Sequence, residues 1–137
     1  MKLSAYLLFD ACCAEAFKYY EEHLGGKIHG IMTYAQMPNA SSLTPEQAKA
    51  VLHARIDVAG ATIMASDAAP GLFTTMEGSY LALAVDSDAE AERIYAALVD
   101  GGSAHTPLQE TFFATRYAQL RDRFGTLWMI IHERPMP

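Results

Sequence analysis

The chain has 137 residues, of which 51% are hydrophobic and 19% charged, so it is long enough and apolar enough to build a folded core. Ten lysines and arginines stand against 16 aspartates and glutamates, which gives a formal net charge of −6. This acidic balance, without a run of basic residues, argues against nucleic acid or an anionic membrane surface as a partner.

Cysteine use and the N-terminal region indicate the compartment. Cys12 and Cys13 are adjacent, and neighbouring cysteines rarely reach disulfide geometry, which favours a reducing environment. The first apolar run ends at Asp10 and is too short for a signal peptide or a membrane span. We therefore expect a cytoplasmic protein that does not contact membranes.

The first half of the chain predicts a strand, a helix and three further strands. The strands are expected at residues 4–9, 27–34, 51–58 and 61–66. Apolar side chains at helical spacing predict a helix over residues 13–24, with Asp10 as its cap. In the loop before the third strand, Thr44 and Gln47 form a capping box with Pro45 at the first helical position, which predicts a short helix.

The second half predicts a similar series of elements. A strand is expected over residues 80–85, and Ser87 with Glu90 forms a capping box for a helix that ends at Gly101. A short strand at 103–106 is followed by an irregular segment at 108–116. Two hairpin strands complete the series, at residues 117–120 and 126–131.

This similarity is an internal repeat. A shift of 75 residues brings Ala5 onto Tyr80, and a shift of 65 brings Met64 onto Met129, with an insertion near residues 37–45 accounting for the difference. One βαβββ unit is marginal alone because its sheet needs a cover. We expect an α+β fold in a single domain, with two βαβββ modules at about 1–67 and 78–137. The modules would form a curved mixed sheet with a cleft, with the helices outside.

Several motifs carry a resemblance to a known superfamily. They are YLLF at 6–9, AEAFKYY at 14–20, HARI at 53–56, ASDA at 65–68, QETFF at 109–113 and DRFGTLWMI at 122–130. With these motifs the chain resembles the vicinal-oxygen-chelate superfamily of glyoxalase I, bleomycin-resistance proteins and extradiol dioxygenases. The likeness is greatest to its PhnB-like branch, whose members often carry a description as demethylubiquinone methyltransferases. The resemblance implies a homodimer with a pocket in each paired sheet.

The resemblance also indicates which residues would hold a metal ion. Metal-dependent relatives hold an ion through four side chains, usually His, Glu or Gln, from the first and last strands of each module. The matching positions here are Ala5, Met64, Tyr80 and Met129. A shift of one residue would instead offer Tyr6, Ile63, Leu81 and Trp128. Neither set suits a hard or borderline divalent ion, so we expect no cofactor and no metal in the usual place.

Other catalytic chemistry finds little support in the sequence. The five histidines, His23, His29, His53, His105 and His132, lack metal-ligand spacing and are interpreted as satisfied or surface residues. A methyltransferase would need a glycine-rich loop after a strand, and the sequence has no G-x-G-x-x-G. Cys12 or Cys13 could be a reactive thiol beside a helix N-terminus, or a small buried hydrophobe.

The candidate ligand-binding residues follow from the expected concave surface. They are Ala5, Met64, Ser66, Tyr80, Phe112, Arg116 and Met129. Most are apolar, with Tyr80 and Ser66 as polar handles, which suits an apolar or aromatic small molecule. Phe112 and Arg116 lie in the loop at 109–116, and Arg116 would pair either with an anionic ligand or with a surface carboxylate.

Three functions remain open from the sequence. The first is metal-independent binding of a small organic molecule, as in the bleomycin-resistance relatives. The second is a lyase, isomerase or dioxygenase with a displaced divalent metal held by Glu133, with His53 or Asp10. The third is a non-catalytic dimeric module whose pocket is filled by its own side chains.

Overall fold

Each half of the chain folds into a four-stranded mixed sheet that carries one long helix, as the repeat predicts. The computed structural model describes residues 1–135, which divide into a first unit, Met1–Thr74, and a second unit that begins at Thr75. No helix among these residues is long and apolar enough to cross a membrane.

The first unit contains β1 (Ala5–Phe9), α1 (Cys13–Leu24), β2 (Lys27–Thr33), β3 (Val51–Val58) and β4 (Ala61–Asp67). Its strand order is β1-β4-β3-β2, with β1 and β4 parallel and the other pairs antiparallel. Between β2 and β3 lie two 3-10 turns and the short helix α2 (Pro45–Lys49), whose capping box at Thr44 is present as predicted. A hydrogen bond of 3.0 Å from the Tyr34 N–H to the Ala50 carbonyl closes this insertion at its base.

The second unit contains β5 (Leu81–Ala84), α3 (Asp88–Val99), β6 (Ser103–Gln109), β7 (Ala114–Arg121) and β8 (Leu127–Glu133). Its order, β5-β8-β7-β6, repeats that of the first unit, with β5 and β8 parallel. The segment expected to be irregular at 108–116 is irregular at 110–113, whereas β6 extends to Gln109 and β7 begins at Ala114. Long-range pairing of β7 with β6 and β8 makes most of it strand, and the register shifts in β6 and β7 mask the alternation that would reveal it.

The helices bury one face of each sheet. Phe17 and Tyr20 of α1 are fully buried, and the Phe9 ring meets Phe17 edge-on at 6.3 Å between centroids. In the second unit, Leu98 of α3 and Trp128 of β8 are likewise buried. The hydrophobic core of each unit thus lies on the helix side of its sheet.

The two units differ by one residue between the first strand and the helix. Tyr6 pairs with Met64 in the first sheet, whereas Ala82 pairs with Met129 in the second. The paired strand residues are therefore 76 positions apart (82 less 6), while the helices start 75 positions apart (88 less 13). The connection before α1, which holds the additional residue, contains Ala11 in the left-handed backbone region at φ 60°.

A buried carboxylate joins the end of β4 to the start of α1. Oδ1 of Asp67 accepts a hydrogen bond from the Cys13 N–H at 2.9 Å, and Oδ2 accepts one from the Val51 N–H at 2.8 Å. The prediction that Asp10 caps this helix is wrong, because Cys12 is the N-cap residue. The negative charge favoured at a helix start comes from Glu15 in the first turn and from Asp67, which is distant in sequence.

An imidazole takes the corresponding place in the second unit. His132 occupies in β8 the position that Asp67 occupies in β4, 65 residues earlier (132 less 67). Its Nδ1 lies 2.8 Å from Oδ1 of Asp88, the first residue of α3, and 2.9 Å from Oγ1 of Thr115. Hydrogen bonds from Thr115 and with His132, together with the charge of Arg116, hold the pKa of Asp88 below its ordinary value.

Asp122 organises the β7–β8 turn. Its buried carboxylate accepts three hydrogen bonds of 2.9 Å, from the N–H groups of Phe124 and Thr126 and from Nε1 of Trp128. Because these hydrogen bonds join the turn to the buried Trp128 indole, Asp122 stabilises the fold.

We expect the Asp122→Ala variant to lose about 3 kcal/mol or more of unfolding free energy, since it removes three hydrogen bonds to a buried carboxylate. Urea denaturation at 25 °C measures the loss. The control is Asp100→Ala, which removes an exposed ion pair with Arg123 and should cost less than about 1 kcal/mol. Equal losses in the two variants would contradict this role for Asp122.

The low pKa of Asp88 predicts a specific acid sensitivity. Ionised Asp88 stabilises the fold above its unfolded pKa of 3.8, and this stabilisation is lost as the pH falls through the lower folded pKa. We expect the unfolding free energy of Asp88→Asn to fall less steeply than that of the wild type between about pH 5 and pH 2. Asp86→Asn, at an exposed neighbouring position, should retain the wild-type slope; identical slopes for all three proteins would refute the prediction.

Candidate ligand-binding site

The face of the first sheet opposite α1 carries side chains that remain partly or fully exposed. Arg55 of β3 pairs in register with Met64 of β4, which pairs with Tyr6 of β1, so the three side chains share this face. His53 joins them, two residues before Arg55. The alternate residues point toward α1 and are buried: Ala54, Ile56, Ile63 and Ala65.

A cavity of about 490 Å³ opens on this face. It is lined by His29, Gly30, Ile31, Met32, Gln36, His53, Arg55 and Met64. Its volume lies in the range of small-molecule sites, about 300–1,000 Å³. The lining combines flexible thioether side chains, which adapt to irregular ligands, with a few polar groups that can fix orientation.

Hydrogen bonds and stacking hold two of the cavity's imidazoles. Nε2 of His29 lies 2.6 Å from Oδ2 of Asp57, while the Thr62 hydroxyl donates to Oδ1 of Asp57 at 3.0 Å. These two hydrogen bonds hold the pKa of Asp57 below its ordinary value. The His53 ring stacks on Tyr6, with centroids 5.9 Å apart and planes 30° apart.

Gly30 leaves space beside Arg55. The two residues pair across β2 and β3, and a Cβ added at Gly30 would meet no heavy atom within 4 Å. Gly30 does not have a positive φ, so its backbone conformation does not require a glycine. The effect of the glycine is to leave this wall of the cavity open.

The second unit also has a face opposite its helix. Met129 and Ile131 of β8 pair there with Gln119 and Tyr117 of β7. The Gln119 amide donates to the Tyr117 hydroxyl at 2.9 Å, and the Phe113 ring meets Tyr117 edge-on at 5.1 Å. Met129 therefore lies on a mixed apolar and polar surface.

Tyr80, expected as a polar ligand-binding residue, has a hydrogen-bond partner that the sequence did not suggest. Its hydroxyl lies 2.7 Å from Nε2 of His105, and the ring centroids are 5.6 Å apart. The phenol and imidazole thus form an exposed hydrogen-bonded pair beside β5.

Two predicted residues do not line the cavity in the first unit. Ala5 pairs with Ile63 and lies on the helix side, so it does not share the face of Met64. Its neighbour Tyr6 takes that place, because the additional residue before α1 shifts the repeat by one. Ser66 does share the face of Met64 but is 93% buried, at the end of β4 beside Leu8 of β1.

The two predicted loop residues have different surroundings. Phe112 is 92% exposed, and its ring meets that of Phe113 edge-on, with centroids 5.2 Å apart. Arg116 lies in β7, where its Nη2 is 3.1 Å from Oε1 of Glu92 and its Nη1 is 3.5 Å from Oδ2 of Asp88. Of the two alternatives for Arg116, the surface carboxylate is the one present in the structure.

The cavity in the first unit contains residues that the sequence analysis did not select. Arg55, Gly30 and Met32 were not candidates, and His53 was interpreted as a satisfied or surface residue. Extending the alternation from Met64 across the β3–β4 hairpin would have found Arg55 and His53, since hairpin register fixes which residues share a face.

The thiol at the start of α1 is poorly suited to nucleophilic chemistry. The pKa of the Cys13 thiol is raised to about 12, mainly by burial and to a smaller extent by the negative charge of Asp67. Because the thiolate is the nucleophile, a raised pKa leaves Cys13 protonated at neutral pH. Cys13 therefore fits the description of a small buried hydrophobe.

The described residues offer few donors for a metal ion. Among residues 1–135, no group of three or more His, Cys, Asp or Glu side chains is arranged to hold one. Asp10 lines a separate cavity of about 350 Å³ with Tyr34 and Glu46, whereas His53 lines the open face. The residues expected at a displaced site are therefore not gathered within the first unit.

Comparisons place this geometry among known proteins. A family model described as 3-demethylubiquinone-9 3-methyltransferase matches residues 1–131. "Protein YjdN" of Escherichia coli K12 is 32% identical over 138 residues, which cover 95% of this chain and 94% of the relative. The crystal structure of PA1353 from Pseudomonas aeruginosa is similar with a TM-score of 0.87 and 36% identity, over 98% of this chain and 99% of the other.

More distant structures share the fold alone. A mutant of the fosfomycin resistance protein FosX from Listeria monocytogenes, solved with Mn(II) and 1S,2S-dihydroxypropylphosphonic acid, is 14% identical with a TM-score of 0.63, over 97% of this chain and 93% of the other. The methyltransferase description is not matched by a cofactor-binding architecture in residues 1–135, which form two mixed sheets and no doubly wound parallel sheet. The chain belongs to the family described as 3-demethylubiquinone-9 3-methyltransferase.

Proposed function

We propose that this protein binds a small organic molecule with an apolar or aromatic body, without a metal ion, on the open face of the first unit. The observation that carries this proposal is the cavity of about 490 Å³ bounded by Ile31, Met32 and Met64. An open cavity of this size favours ligand binding over the alternative of a pocket filled by its own side chains.

The chemistry of the available donors supports metal independence. Of the positions that resemble the metal ligands of relatives, Met64 and Met129 offer thioethers, and Tyr6, which takes the open-face place expected for Ala5, offers one phenol oxygen. Thioethers suit soft ions such as Cu(I) and are poor ligands for a hard ion such as Mn²⁺. The Tyr80 hydroxyl is hydrogen-bonded to His105 and would supply one ligand at most. The Mn(II) in the FosX structure is evidence about FosX and not about this chain.

The proposal includes a homodimer in the cytoplasm. Tyr6, Met32 and Leu8 leave between 39% and 49% of their surface exposed on the first sheet, which is typical of a face that a partner covers. Light scattering on the purified protein tests the dimer. Cys12 and Cys13 are both thiols, in keeping with a reducing compartment.

Filling the space at Gly30 tests the cavity directly. We expect aromatic and aliphatic compounds to raise the melting temperature of the wild type, and Gly30→Ile to weaken the binding of each hit at least about tenfold. The fold should tolerate isoleucine, because the added Cβ meets nothing within 4 Å and β-branched residues favour strands.

Gly30→Ala is the matched control and should bind nearly as well as the wild type, since one methyl group leaves most of the cavity open. A screen in which no compound stabilises the wild type would refute the proposal. Unchanged affinity in a folded Gly30→Ile protein would move the ligand to another surface.

Elemental analysis tests whether the protein binds a metal ion. The untagged protein is purified without chelators and then incubated with Mn²⁺, Fe²⁺, Ni²⁺ or Zn²⁺. We expect far less than one equivalent of any ion per chain. Close to one equivalent would favour the alternative function, a metal-dependent lyase, isomerase or dioxygenase with a displaced site. Loss of that metal in Glu133→Gln would then locate it.

A further inference from the structure

Arg55 stands apart from the other arginines of the chain. Within residues 1–135 its guanidinium has no hydrogen-bond or ion-pair partner. The remaining arginines all have partners: Arg93, Arg116, Arg121, Arg123 and Arg134. Among the six arginines of the sequence, Arg55 is therefore the exception.

The carboxylate nearest to Arg55 in sequence on the same face is already engaged. Asp57 accepts a hydrogen bond from Thr62 and lies 2.6 Å from His29. Arg55 is therefore left with a full positive charge directed at the cavity that it lines. A guanidinium presents several N–H donors in a planar fork, which matches the oxygen atoms of a carboxylate or phosphoryl group.

The neighbours of Arg55 define where a bound anion and its body would lie. Gly30 on one side leaves open space, and Met64 on the other supplies apolar surface next to the cation. His53 lines the same cavity and offers a further ring nitrogen. A charged head at Arg55 and an apolar body along Met32 and Met64 would use both kinds of lining.

We propose that the cavity selects organic oxyanions, with the carboxylate or phosphonate group of the ligand paired with Arg55. This inference rests on the proposed function and narrows its ligand class from apolar molecules in general to apolar anions. Arg55 replaces Arg116 as the group that recognises charge, because Arg116 already pairs with Asp88 and Glu92.

The test uses three probes that share one apolar body: 4-phenylbutanoate, its neutral amide 4-phenylbutanamide, and 3-phenylpropylphosphonate. Binding to the full chain is measured by calorimetry at low and at high salt. We expect the wild type to bind the two anions at least about tenfold more tightly than the amide, because a charge-assisted hydrogen bond is stronger than a neutral one. High salt should reduce this preference.

Arg55→Gln should bind the amide as the wild type does and lose the preference for both anions, whereas Arg55→Lys should keep part of it. The control Arg123→Gln removes an arginine that pairs with Asp100 in the second unit, and it should retain the full preference. The melting temperatures of the variants confirm that each is folded.

The outcomes separate this inference from the proposed function. Equal affinity of the wild type for the amide and the anions would overturn the role of Arg55 and leave an apolar pocket standing. A preference for anions that survives in Arg55→Gln would also overturn it. Absence of binding by all three probes would overturn the inference, whereas the wider compound screen would decide the proposed function separately.

Discussion

Each four-stranded sheet has one long helix to cover it, and a single helix can cover only one face. This constraint is clearest in the central strands of the first sheet, β3 and β4. Their residues that point toward the helix are apolar and buried, such as Ile56 and Ile63, while residues on the other face keep polar or mixed side chains. The open face is consequently where side chains are available for binding, and the cavity beside Met64 lies there.

The order and type of the elements could be predicted from the sequence because their signals are local. Helical spacing and capping residues marked α1, α2 and α3, and the repeat revealed two copies of one plan. The strands at 103–121 were predicted less well, since β6 and β7 are defined by pairing with each other across register shifts. Such pairing is a tertiary property that a local pattern does not contain.

The side on which each residue lies was harder to predict, because in a strand one residue of error exchanges the two faces. The repeat suggested that Ala5 corresponds to Tyr80, whereas the register of β1 against β4 makes Tyr6 the open-face residue. Nothing in the spacing of the motifs shows that an additional residue, accommodated near Ala11, separates the two copies.

For Arg116 the sequence left two kinds of partner open, an anionic ligand or a surface carboxylate, and only the fold shows which carboxylates are near. Arg116 was conspicuous because it followed an aromatic loop, but the first turns of α3 bring Asp88 and Glu92 to it. Arg55 lies in an ordinary alternating strand. It is significant because, among the described residues, the fold places no hydrogen-bond or ion-pair partner beside its guanidinium. Whether a charged side chain is available for a ligand depends on its neighbours in space, and a single sequence does not show which residues these are.

The insertion between β2 and β3 is closed at its base by the hydrogen bond between Tyr34 and Ala50. A segment whose ends already meet can lengthen, shorten or be exchanged at a small cost in loop-closure entropy, and the strands on either side keep their register. Gln36 of this segment borders the cavity on the open face, and Tyr34 borders the smaller cavity near Asp10. One replaceable segment therefore shapes two cavities, so ligand preference can diverge between proteins of this fold while the sheet stays unchanged.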